Sequence, residues 1–119
     1  MSTTQKGKKA EDLAVVHLEQ KGYKIMERNY RFMKSEVDIV AYHNFMIIFI
    51  EVKFRSNTTY GRPEEYVTEA QQKRIYEAAE AWLYERKMEG SPVRFDVVSI
   101  VKHDDTTFNI NHIEKAFTF

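Results

Sequence analysis

Phe45-Met46-Ile47-Ile48-Phe49-Ile50-Glu51-Val52-Lys53-Phe54-Arg55 is an apolar run that ends in alternating charge. Its first six residues are all apolar, as in a strand covered on both faces, and strand side chains alternate faces with period two. Glu51, Lys53 and Arg55 therefore share a face with Phe45, Ile47 and Phe49, and they prolong a row that begins inside the core. A Glu and a Lys emerging from a buried row need partners, because an unpaired charge in the interior is costly.

The preceding segment, Glu36-Val37-Asp38-Ile39-Val40-Ala41-Tyr42, alternates cleanly. Val37, Ile39 and Ala41 fall on one side, and Glu36, Asp38, Val40 and Tyr42 on the other. His43-Asn44 reads as the hairpin turn that joins the two strands. Antiparallel pairing from that turn sets Asp38 opposite Phe49 and Glu36 opposite Glu51, with Asp38 diagonal to Glu51 at about 7–8 Å. A two- or four-residue loop keeps this register, whereas a three-residue loop shifts it.

Working outward, Ala10, Leu13, Ala14 and Leu18 form an apolar helical stripe from about Gly7 to Lys21-Gly22, after a polar, basic tail at residues 1 to 6. Glu11 lies on the edge of that stripe, where the helix dipole also favours an acid. Tyr23 to Tyr30 holds a first strand. After Arg55, the polar stretch from Ser56 to Pro63 reads as a loop and a flap beside the strand end. Thr68 with Gln71 has capping-box spacing, and Ile75, Ala78, Ala79, Trp82 and Leu83 mark a second helix that Gly90 and Pro92 end. Val93 to Val101 is a further strand, and Phe108 to Ile113 a short one.

A chain of 119 residues with 43% hydrophobic and 30% charged residues is a single globular domain. It has no cysteine, which excludes disulfides, thiolate catalysis and cysteine-based zinc sites. No signal peptide or bilayer-length apolar run is present, so a cytoplasmic location and no membrane partner are expected. Lys and Arg balance Asp and Glu at 18 each, so bulk charge does not announce a nucleic-acid binder. The distribution is less even, because positive charge collects at Lys21, Lys24, Arg28, Arg31 and Lys34, with Arg55, Arg62, Lys73 and Arg74 further on. Solvated surface explains most such runs; Arg28, Arg31, Lys34 and Arg62 are the candidate nucleic-acid contacts.

Three elements thus aim acids at one place: Glu11, Asp38, and Glu51 with Lys53. Carboxylates crowded into a partly buried site stay ionised only if cations compensate them. Lys53 supplies one positive charge, and an oxygen-only donor set suits Mg²⁺ or Mn²⁺. His17, His43, His103 and His112 lack the spacing of a zinc site. A carboxylate-held divalent ion beside an ammonium is the chemistry of phosphodiester hydrolysis.

Asp38, twelve residues, then Glu51-Val52-Lys53 resembles the PD-(D/E)xK nuclease signature. The helix with Glu11 resembles the acidic helix of archaeal Holliday-junction resolvases in that superfamily. The resemblance is closer to the uncharacterised, endonuclease-like YraN-type family. It is carried by the segments from Gly7 to Ala14, Gly22 to Ile25, Arg28 to Arg31, Glu36 to Ala41, Ile50 to Arg55, Gly61 to Pro63 and Arg94 to Val98, in family order. It implies an α/β, restriction-endonuclease-like core of αβββαβ order, with a mixed central sheet flanked by helices and a short extra C-terminal strand. It also implies Glu11, Asp38 and Glu51 as metal ligands, Lys53 as the catalytic lysine, and DNA as partner and substrate, with branched DNA among the candidates. The alternative is a module of nuclease fold that binds nucleic acid in repair or recombination without cutting it.

Ser35 departs from the family pattern, which has glycine there. Glu36 is either a second acid at the site or a solvated one. Arg55 either touches phosphate or pairs with Glu36. Gln72 with Tyr76 has the QxxxY spacing of some related nucleases, a spacing that helices also produce by chance. Asp96 is expected to be structural. Related resolvases cut two strands as dimers, which leaves a homodimer open; Ala116, Phe117 and Phe119 either pack at such an interface or close the core.

Overall fold

The computed structural model describes residues 3–56 and 67–119, with side chains from Lys8 onward. Helix α1 (Thr3–Gln20) precedes three strands, β1 (Lys24–Phe32), β2 (Ser35–His43) and β3 (Met46–Arg55). Helix α2 (Glu69–Glu85) then leads to β4 (Val93–Lys102) and β5 (Phe108–Phe117). The strands form one sheet in the order β1-β2-β3-β4-β5. All neighbours are antiparallel except β3 and β4, which are parallel. Parallel neighbours need a long crossover, and α2 supplies it. The chain is α/β with a mixed five-stranded sheet and two helices.

Each face of the sheet carries one helix. Ala10, Ala14 and Leu18 of α1 cover Ile39, Ala41, Ile48, Ile50, Val98 and Ile100. On the opposite face Ile75, Ala78, Ala79 and Trp82 of α2 cover Val40, Ile47, Phe49 and Val97. Burial on both faces is why β3 is apolar at successive positions instead of alternating. Trp82 meets Phe49 edge-on, with ring centroids 5.9 Å apart, and is a core residue. The capping box forms as its spacing predicts: Thr68 Oγ1 accepts from the Gln71 N–H and Gln71 Oε1 accepts from the Thr68 N–H, each at 3.1 Å.

The structure departs from the sequence expectations at several places. Helical backbone begins at Thr3, inside the stretch expected as a tail. β5 is not short: its ten residues line β4, because stacking of Phe117 on Phe95 at 5.6 Å extends the pairing well past Ile113. Ala116 and Phe117 join the α2-side core, and Phe119 meets Phe95 edge-on at 4.9 Å. The expected flap lies outside the described residues beyond Ser56, and Arg62 lies outside them too. No described helix is long and apolar enough to cross a membrane.

The β2–β3 turn is Asn44-Phe45, one residue later than His43-Asn44. Both residues have positive φ, 50° and 63°, which is the pattern of a two-residue type I′ hairpin. Phe45 is 85% exposed, so nothing repays its left-handed backbone. Phe45→Gly should raise stability by about 0.5–1 kcal/mol, read as a higher midpoint in thermal denaturation. An unchanged or lower midpoint would mean that Phe45 holds the turn by contacts of its own.

Candidate active site

The displaced turn changes the register by two residues. Tyr42 now faces Ile47, Val40 faces Phe49 and Ile39 faces Ile50, and pairing stops there. Because the shift is even, face assignments survive it. Continuing the register places Asp38 directly across from Glu51 instead of diagonal to it. Beyond Ile39 the β2 backbone leaves the ladder, and Asp38 Oδ2 accepts the Val52 N–H at 2.8 Å in its place.

The strict alternation expected for β2 also breaks at Asp38. Ile39 packs on the α1 side, whereas Val37 packs on the α2 side. The neighbouring strand breaks phase at the matching point: Arg28 pairs with Ile39 and Tyr30 with Val37, and Asn29 between them has φ 54°. Arg28 consequently reaches Glu11 on α1, while the Tyr30 hydroxyl donates to Glu85 at the end of α2. This paired kink places Asp38 at the border of both layers. It lines a cavity of about 630 Å³ with Glu11, Arg28 and Asn29, and a second of about 220 Å³ with Glu36, Glu51, Gln71, Lys34 and Arg74.

Asp38 and Glu51 line the same cavity and shift each other's titration. Burial pushes the Asp38 carboxyl up to about 8, the nearby Glu51 charge pushes the same way, and the Val52 N–H opposes both. Burial raises Glu51 as well, while Lys53 and Asp38 hold it down. The pair therefore carries a proton near neutral pH. Lys53 is buried; its Nζ lies 3.4 Å from Glu51 Oε1 and donates to Gln71 Oε1 at 3.3 Å. One oxygen of Gln71 thus closes the helix cap and holds the lysine.

Glu11 is turned elsewhere. Its Oε1 accepts from Arg28 Nε at 2.7 Å and Asn29 Nδ2 at 3.0 Å. Among the described residues, no three His, Asp or Glu side chains are grouped to hold a metal ion. The structure brings Asp38, Glu51 and Lys53 together, and ties Glu11 to a cation at the rim.

The remaining candidates distribute as follows. Glu36 lines the smaller cavity and pairs with Arg31 at 2.9 Å. Arg28 is engaged by Glu11 and Asp12. Arg55 Nη1 donates to the Phe54 carbonyl at 2.9 Å. Gln72 Nε2 donates to the Val67 carbonyl, and Tyr76 packs on Phe119, so the QxxxY pair does not face the carboxylates; Gln71 does. Ser35 has no positive φ, which is why serine fits where the family pattern has glycine, and its Oγ donates to Glu77. Asp96 is fully buried in a network with Arg94 and His112, as expected of a structural acid. The sequence marks Gln71 only as a cap and Arg74 only as part of a charge run. Helical spacing connects them, since positions three apart share a face.

Residues 10–100 match the model of the uncharacterised protein family UPF0102. The chain is 42% identical over 112 residues to a UPF0102 protein of Persephonella marina, covering 94% of this chain and 92% of that protein. It is 48% identical over 100 residues to one of Cytophaga hutchinsonii, covering 84% and 88%. A match of this extent to the family model, with relatives this similar over nearly their full length, means that the chain belongs to the uncharacterised protein family UPF0102.

Proposed function

We propose that this chain is a metal-dependent endonuclease of PD-(D/E)xK type that hydrolyses DNA phosphodiester bonds. The observation that carries the reading is the Asp38–Glu51 pair, two half-buried carboxyls lining one cavity beside the buried Lys53 ammonium. Such a pair is poor structural glue, because two carboxyls this close cannot both ionise without a cation to compensate them. It fits a divalent cation, which can replace the pair's proton, and its oxygen donors suit Mg²⁺ or Mn²⁺.

Asp38 and Glu51 would hold the ion, which when bound polarises and neutralises the scissile phosphodiester. The chain's own groups do the rest. Lys53, fixed between Glu51 and Gln71, has donors to orient an attacking water and to meet the negative charge that develops on phosphorus. Lys34 and Arg74 line the same cavity, and neither is ion-paired among the described residues, so both can face phosphate. Glu11 joins the ligands only by exchanging its contacts with Arg28 and Asn29.

That engagement of Glu11 is the one observation favouring the second reading, a nucleic-acid-binding module without cleavage. Calorimetric titration with Mg²⁺ and Mn²⁺, followed by assays on duplex, single-stranded, flap and four-way-junction DNA, separates the two. The nuclease reading expects metal binding, and cleavage that falls about 10³-fold in Lys53→Ala while metal binding persists. Metal binding with no cleavage of any DNA would leave the binding module. Cleavage that survives Lys53→Ala would place the chemistry elsewhere.

A further inference from the structure

The β1–β2 hairpin turns at Met33-Lys34, closed by the Phe32–Ser35 pair. Met33 has φ 56° and is 82% exposed; Phe32 is 40% exposed. Left-handed backbone at a tight turn favours glycine, asparagine or aspartate. Here the fold instead holds an unbranched apolar side chain in water at the most projecting point of the hairpin. A single exposed methionine is ordinary. Its position is not, because the next residue, Lys34, lines the cavity of Asp38 and Glu51. A polyanion that fills that cavity lies within reach of the tip. Arg31 and Lys34 flank the apolar pair, so the tip is apolar at its point and basic at its sides.

We propose that this tip is a wedge: Met33 inserts beside an unpaired or unstacked base of the DNA strand whose backbone lies against Asp38, Glu51 and Lys34. The proposal rests on the nuclease reading above and names its substrate feature. Apolar side chains that enter between base steps, methionine among them, must unstack those steps, and that costs least where a base is already unpaired. The soft, flexible thioether suits contact with a base edge or face. Met33 lies five positions before Asp38, at most about 16 Å away, or about five stacked base steps. The unpaired base should therefore sit within about five nucleotides of the phosphate at Asp38.

The test uses the full chain and a short duplex carrying 2-aminopurine, either intact or beside a single-base bulge, without divalent metal so that cleavage does not enter. Wild-type protein should bind the bulged duplex about fivefold or more tighter than the intact one and raise the 2-aminopurine fluorescence. Met33→Gly, which suits the positive φ and should fold, is expected to lose both the preference and the fluorescence change while keeping its affinity for intact duplex. A preference unchanged in Met33→Gly overturns the wedge and leaves the nuclease reading standing. A change of sedimentation mass in Met33→Gly would make the tip a contact between copies of the chain and overturn the wedge as well. Failure of the wild type to bind any DNA overturns both.

Discussion

Asp38→Asn is expected to leave the protein more stable than wild type at pH 8, by about 10 °C in midpoint, and unresponsive to Mg²⁺. In the unfolded chain an aspartate titrates near 4. In the fold this one titrates at about 8, because burial and Glu51 disfavour its charge. Between those values the native state holds a proton that the unfolded state lacks, so stability falls as pH rises through the window and levels off above it. The full shift corresponds to about 5 kcal/mol; partial exposure and coupling to Glu51 reduce the expected loss to about 2–3 kcal/mol. Asparagine removes that loss and keeps an acceptor for the Val52 N–H. Thermal denaturation at pH 4.5 and pH 8 checks the sign: the two proteins should nearly coincide at the lower pH and separate at the higher. Equal stability at pH 8 would mean that Asp38 bears no buried proton. Saturating Mg²⁺ should stabilise the wild type by about 1–3 kcal/mol and the variant not at all, and cleavage should fall about 10³-fold.

Which parts of the site were legible in the sequence follows from how local their signals are. The acid and the lysine are visible in β3 because they break an apolar run, and the parity of β2 and β3 places Asp38 on their face despite a turn misplaced by one residue. Local patterns likewise give the two helices, the capping box and the order of the strands. What stayed hidden depends on partners far apart in sequence. The phase break at Asp38 needs its counterpart at Asn29, on another strand, and no period within β2 announces it. Glu11 lies on the edge of its helix stripe as expected, but the cation that claims it, Arg28, reads from sequence as surface charge. Gln71 and Gln72 are adjacent on a helix and differ by about 100° in direction, so the cap at Thr68 decides which one meets Lys53.

Asp96→Ala should cost about 3–5 kcal/mol, a loss as large as truncating a buried aromatic of the core. Asp96 repeats the backbone device of Asp38. The β4–β5 register is irregular between Phe95 and Val97, and Asp96 Oδ1 accepts the Lys115 N–H at 3.0 Å that the ladder leaves over. The electrostatics are opposite. Burial alone would raise Asp96, but hydrogen bonds from His112, Arg94 and the Lys115 N–H outweigh it and hold the carboxyl below the usual range. Arg94 grips both oxygens, at 2.9 and 2.8 Å, and His112 Nε2 meets Oδ2 at 2.6 Å. Alanine would strand a guanidinium that is 17% exposed and a buried imidazole. Asp96 therefore contributes stability that is present above about pH 4, the unfolded value, and is lost as pH falls through its lowered native value. The deficit of Asp96→Ala, measured by urea denaturation, should be largest at neutral pH and shrink in acid, whereas the gain of Asp38→Asn grows from acid to alkaline pH. A loss below about 1 kcal/mol at pH 7 would show that Arg94 and His112 find other partners. The two aspartates fill similar breaks in one sheet, but every acceptor of Asp96 is taken by a protein donor, while Asp38 faces another acid. Of the two, only Asp38 therefore lines an open cavity and faces a second acid, the arrangement that the proposed cation and phosphate require.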